Sequence, residues 1–94
     1  MSIVRAEVYD YVLMSREAEM FGEALKRWRE KRGLTQEALA HEAGITASYA
    51  GQVERGAKAP GLSVVLRLCR ALDCTPGELL ADFTPAVLKR LRFG

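Results

Sequence analysis

A chain of 94 residues suits one domain, and 49% apolar residues are enough for a compact core, which excludes a disordered chain. No run of about 18 apolar residues is available to span a bilayer, and the opening residues, MSIVRAEVYDYV, lack the basic start and apolar block of a secretory signal. That makes a reducing cytoplasm the default compartment, and a net charge of only +2 means that nucleic-acid binding must be argued from where the cations sit.

Residues 3–13 (IVRAEVYDYVL) are rich in β-branched and aromatic types with imperfect alternation. They are compatible with a strand, a disordered arm or an early helix. A first helix is predicted from about Glu19 to Arg32, with Phe21, Leu25 and Trp28 on one face and Gly33 closing it. A second helix, about Gln36 to Ala43, carries Leu39, Ala40 and Ala43 inward and ends at Gly44. A third, about Ala47 to Arg55, turns Tyr49, Ala50 and Val53 inward and ends at Gly56. After the loop at 56–61, a fourth helix from about Leu62 to Leu72 has the apolar stripe Leu62, Val65, Leu66, Cys69 and Leu72. A fifth covers about Pro76 to Ala81, and residues 85–92 read as a short basic amphipathic helix that either packs Val87, Leu88 and Leu91 on the domain or makes a dimer contact.

Helix starts are strongly marked. Thr35, Thr46, Thr75 and Thr84 each suit an N-cap, where a hydroxyl accepts from an orphan amide of the first turn. Thr75-Pro76-Gly77-Glu78 is a capping box with proline at the first helical position. Leu34 with Leu39, Ile45 with Ala50, Cys74 with Leu79, and Phe83 with Leu88 have hydrophobic-staple spacing.

Little in the chain suggests catalysis. Cys69 and Cys74 do not form a CxxC pair, and the single histidine, His41, reads as a solvated helix residue. No nucleophile–base pair, metal cluster or phosphate loop can be picked out, so the expectation is a non-enzyme without metal or cofactor. The informative feature is the third helix. Ser48, Gly51, Gln52 and Arg55 recur at i, i+3, i+4 and i+7, with Ala47 beside them, on a face with nothing obvious to bury.

The stretch GLTQEALAHEAGITASYAGQVERG, continued by PGLSVVLRLCRALDCTPGELL, resembles the helix-turn-helix of the Cro and phage-repressor family. The resemblance covers roughly residues 20–82. It is carried by Leu34-Thr35-Gln36, Leu39-Ala40, Gly44, Ile45-Thr46, Glu54-Arg55-Gly56, Pro60 and the pattern of the fourth helix. It implies an all-α, five-helix, lambda-repressor-like domain over 19–83, with an N-terminal extension over 1–18 and a short C-terminal helix in 84–94. The third helix would enter the major groove of double-stranded DNA, whose base edges carry a readable code.

By position, Thr46, Ala47, Ser48 and Gln52 match the family's base-facing set. Gln52 could make the bidentate pair with adenine. Gln36, Tyr49, Arg55 and Lys58 are assigned to phosphates, and Arg29 with Glu54 to a structural ion pair between the first and third helices. Two residues depart from the pattern: Ala50 stands where the family usually has Ile or Val, and Gly51 lies in mid-helix. The implied function is a transcriptional regulator, acting as a homodimer on a palindromic site. The competing reading is a protein-interaction module with weak or no DNA binding, for which Ala47 and Gly51 are the support.

Overall fold

The computed structural model describes residues 15–93. The segment expected to be a strand, arm or early helix over 3–13 lies outside the described residues. Within them the chain is all-helical, in the order α1 (Arg16–Lys31), α2 (Gln36–Ala43), α3 (Ala47–Glu54), α4 (Leu62–Leu72), α5 (Pro76–Leu79) and α6 (Pro85–Arg90). Among these residues no helix is long and apolar enough to cross a membrane.

Every threonine cap is formed. Thr35 accepts from the amide of Ala38, Thr46 from Tyr49, Thr75 from Glu78 and Thr84 from Val87. At α5 the box is reciprocal, the Glu78 carboxylate accepting from the Thr75 amide at 2.9 Å. Helix α1 begins three residues before the expected boundary, inside the segment assigned to the extension. Ser15 is its N-cap, accepting from the Ala18 amide at 3.1 Å, and Glu17 and Glu19 favour the positive end of the helix dipole. Helices α5 and α6 each stop two residues short of the expected ends, at Leu79 and Arg90.

Leu25, Leu39, Val53, Leu68, Leu72 and Leu79 are the largest fully buried side chains, and Phe21, Ala24, Ala43 and Cys69 complete their cluster. Each Leu or Val removed from water in this way contributes about 1.5–3 kcal/mol. Helix α2 packs on α3 and α4, α1 on α3 and α5, and α4 on α5. The expected α4 stripe needs correcting. Leu68, Cys69 and Leu72 are buried, with Val65 half-buried behind them, whereas Leu62 is 72% and Leu66 47% exposed. The inward face therefore follows 65, 68, 69 and 72, with Val64 and Val65 of the first turn packed against the core and Leu62 and Leu66 turned away from it. At α6, Val87 and Leu91 are half-buried, but Leu88 points outward at 46% exposure.

Arginines tie the ends of α1 and α4 together. The Arg32 guanidinium donates to the carbonyls of Leu72 and Asp73 at 2.8 and 3.1 Å, satisfying the end of α4. Asp73 closes that helix in the left-handed region at φ 55°. Arg27 pairs with Asp82, joining α1 to the chain after α5.

Candidate nucleic-acid interface

The geometry of α3 begins with the turn before it. Helix α2 is only two turns long and ends at Gly44, whose φ of +71° lets the chain reverse at once. The Ile45 amide bonds back to the Ala40 carbonyl at 2.9 Å, and Thr46 then caps α3. From α4, Arg67 donates to the Gly44 carbonyl at 3.3 Å and so braces the turn from outside.

Helix α3 has two faces. Ala50 and Val53 are fully buried and Glu54 is buried. Ala50, small where the family usually has a larger residue, is at 0% exposure, so the helix approaches its neighbours closely rather than leaving a gap open to water. Tyr49 is half-buried and packs against the core. On the outer side Thr46, Ser48 and Arg55 are exposed, with Ala47 and Gln52 half-buried between them and the body of the domain. Lys58 is exposed in the loop after α3.

One member of the expected open face is not open. Gly51 is buried. A methyl group built on it would lie 3.1 Å from Nη1 of Arg55 and 3.5 Å from Oε1 of Gln36. Two long side chains, one from the end of α3 and one from the start of α2, therefore cover it.

Beneath that cover lies the polar centre that fixes α3. The Arg29 guanidinium donates to both carboxylate oxygens of Glu54, from Nε at 2.5 Å and from Nη2 at 3.1 Å. Its remaining Nη1 donates to the Leu34 carbonyl at 2.8 Å, and Gln36 Nε2 adds a bond to Glu54 Oε1 at 3.0 Å. The two side chains are 12% and 3% exposed, so this is a buried, fork-to-fork pair with the Leu34 carbonyl and the Gln36 amide as further partners. The Glu54 hydrogen bond, outweighing desolvation, holds the Arg29 pKa above its ordinary value. Gln36, expected at a phosphate, thus has one amide hydrogen directed inward and its other edge toward Gly51 and Arg55.

Two glycines set how closely α3 lies on α1: Gly22, which has no part in the sequence analysis, and Gly56, expected there only as the end of the third helix. A methyl on Gly22 would fall 2.4 Å from the Val53 carbonyl oxygen and 2.5 Å from that of Glu54, both backbone atoms that cannot step aside. A methyl on Gly56 would fall 2.9 Å from the Glu19 Cα. The end of α3 therefore rests on the bare backbone of α1. The only sequence signal was a glycine at position 22 inside an otherwise good helix, which calls for a packing reason.

With this geometry in hand, comparison with known proteins is direct. A family model described as helix-turn-helix (HTH_3) matches residues 25–79, more than half of the chain. YazB of Bacillus subtilis strain 168, an uncharacterized HTH-type transcriptional regulator, is 33% identical over 63 residues, 67% of this chain and 91% of that protein. The restriction-modification controller protein C.AhdI from Aeromonas hydrophila is 43% identical in sequence and superposes with a TM-score of 0.66 over 67% of this chain and 96% of its own. The P22 c2 repressor, solved in complex with a synthetic operator, is 32% identical with a TM-score of 0.59 over 63% and 89% of the two chains. A short α2, a glycine turn, an α3 with one buried and one open face, and a family match spanning all three together show that this chain belongs to the helix-turn-helix family of the Cro and phage-repressor type.

Proposed function

We propose that this protein is a transcriptional regulator that binds double-stranded DNA in a sequence-specific way, with α3 in the major groove. The observation that carries this reading is the outer face of α3. Ser48 and Arg55 are exposed and Gln52 is half-buried beside them, while the opposite face is locked to α1 through Glu54. A rigid helix presenting an amide, a hydroxyl and a cation is suited to base edges and phosphates. Gln52, Ser48, Ala47 and Thr46 are the base-facing residues in this reading, Ala47 offering its methyl to thymine. Gln36, Arg55 and Lys58 face the phosphates, with Tyr49 at the rim.

A single such domain covers about 600–1,000 Å² of DNA interface, too little for tight specific binding. The protein therefore acts as a homodimer on a palindrome, its half-sites about 10 bp apart or a multiple of that. The names of the relatives, a phage repressor and a restriction-modification controller, agree with this economy. The test is selection of bound duplexes from a random pool, followed by titration at several salt concentrations. A recovered palindrome bound at least about a thousandfold more tightly than random duplex is expected. Equal affinity for all sequences would replace this reading with a non-specific or protein-binding role.

A further inference from the structure

On the reading that α3 contacts DNA, we propose that Gly51 is a positioning residue. The side chain it lacks is the seat that keeps the Arg55 guanidinium beside the Gln36 amide, so that the two meet one DNA phosphate as a unit.

Gly51 is buried although it faces away from the core, and what covers it is not packed hydrocarbon. The covering groups are a guanidinium nitrogen and an amide oxygen, 3.1 and 3.5 Å from where a methyl would stand. On a helical wheel Gly51 lies about 40° from Arg55 and about 60° from Ser48, on the side toward α2, whereas Gln52 lies on the other side. The outer face of α3 thus has a base-reading flank at Gln52 and a flank at Gly51 where α2 begins.

The Gln36 side chain is held from behind, its Nε2 bonded to Glu54, which Arg29 fixes in turn. Arg55 has no ion-pair partner among the described residues, so its charge is available to an anion. A methyl at position 51 would be at ordinary contact distance from the Gln36 oxygen but inside it for the Arg55 nitrogen. The guanidinium, at the end of a flexible chain, would be the group that moves. Glycine in mid-helix weakens α3, and this seat is what that weakness provides.

The consequence is an opposed pair of effects from one substitution. Gly51→Ala should raise the thermal midpoint by about 4–8 °C, the shift that the gain in helix propensity gives a domain of this size. It should weaken binding about three- to tenfold, on a selected duplex and on random duplex alike, and lower the salt slope by up to about one unit. In an Arg55→Ala background the same change should cost no further affinity, because the displaced group is already gone. Fluorescence anisotropy with both duplexes, alongside thermal unfolding, reads all of this. A raised midpoint with unchanged affinity and slope would overturn the proposal. So would a lowered midpoint, or a loss that persists undiminished without Arg55. Failure of the wild-type protein to bind duplex even at low salt would remove the DNA reading and this proposal together, and it would be seen before any substitution is made.

Discussion

At the scale of single residues, Gln52 and Glu54 stand two positions apart and do opposite work. Gln52 is on the outer flank of α3, half-buried and with no hydrogen bond to its side chain among the described residues. Its amide is therefore free for a base. Gln52→Ala should weaken binding to a selected site by about 1–3 kcal/mol and relax the preference at one base pair in each half-site. Competition with single-base variants of that site checks this. Glu54, by contrast, is held by three donors from two other segments, and its side chain is 3% exposed. Glu54→Ala strands a guanidinium that is only 12% exposed. A loss of about 3–5 kcal/mol is expected in denaturant unfolding. Lys58 is exposed in its loop, so Lys58→Ala should leave stability unchanged and lower the salt slope of DNA binding by about one unit.

At the scale of elements, the question is how α3 and α4 are seated. Gly22→Ala sets a methyl against two carbonyl oxygens of α3, so α1 and α3 must part. Despite the better helix propensity of alanine, a net loss of about 1–3 kcal/mol is expected, with weaker DNA binding as α3 shifts. The same substitution at Gly51 should stabilise, because flexible side-chain ends and not backbone meet the methyl there. Paired unfolding curves of the two variants make the contrast measurable. Past the end of α4, burial, Cys69 and Glu78 together push the Cys74 thiol up to about 11 from its ordinary 9.0. The folded state holds this proton more tightly than the unfolded one. The stabilisation is complete below about pH 9 and is lost as the pH rises through about 11. Alkylation of Cys74 should accordingly be slow at pH 8 in the native protein and fast in urea, and the native rate should climb steeply towards pH 11.

At the scale of the whole molecule, the proposed homodimer makes a geometric prediction. Inserting about five base pairs between the half-sites of a selected palindrome places them on opposite sides of the duplex. Affinity should then fall to that of an isolated half-site, as read by anisotropy, and equilibrium sedimentation should give twice the monomer mass on the unaltered site. A retained affinity and a single copy on the palindrome would show that one protomer suffices.

Much of this molecule was legible in the sequence because its elements are marked locally. A threonine hydroxyl and an amide three residues on define a helix start by themselves. Thus Thr35, Thr46, Thr75 and Thr84 placed α2, α3, α5 and α6, and the left-handed glycines at 33, 44 and 56 placed the ends of the first three helices. The family resemblance then put Arg29 and Glu54 at one seam. Burial on a long helix end and contacts between segments are not local, and there the sequence reading fell short. Leu62 and Leu66 carry the right period on α4, but the core meets the helix on the side of Val65, Leu68, Cys69 and Leu72 and leaves those two exposed. Gly51 fits the outer face by spacing, yet only the approach of Gln36 from α2 and the fold-back of Arg55 bury it. Gly22 carries no local mark of its role, which appears only when the carbonyls of Val53 and Glu54 lie against it. Sequence by itself determined where each helix begins and turns, since those bonds close within a few residues. Tertiary structure alone decided which side chains meet water and which backbones touch, since those depend on atoms far apart in the chain.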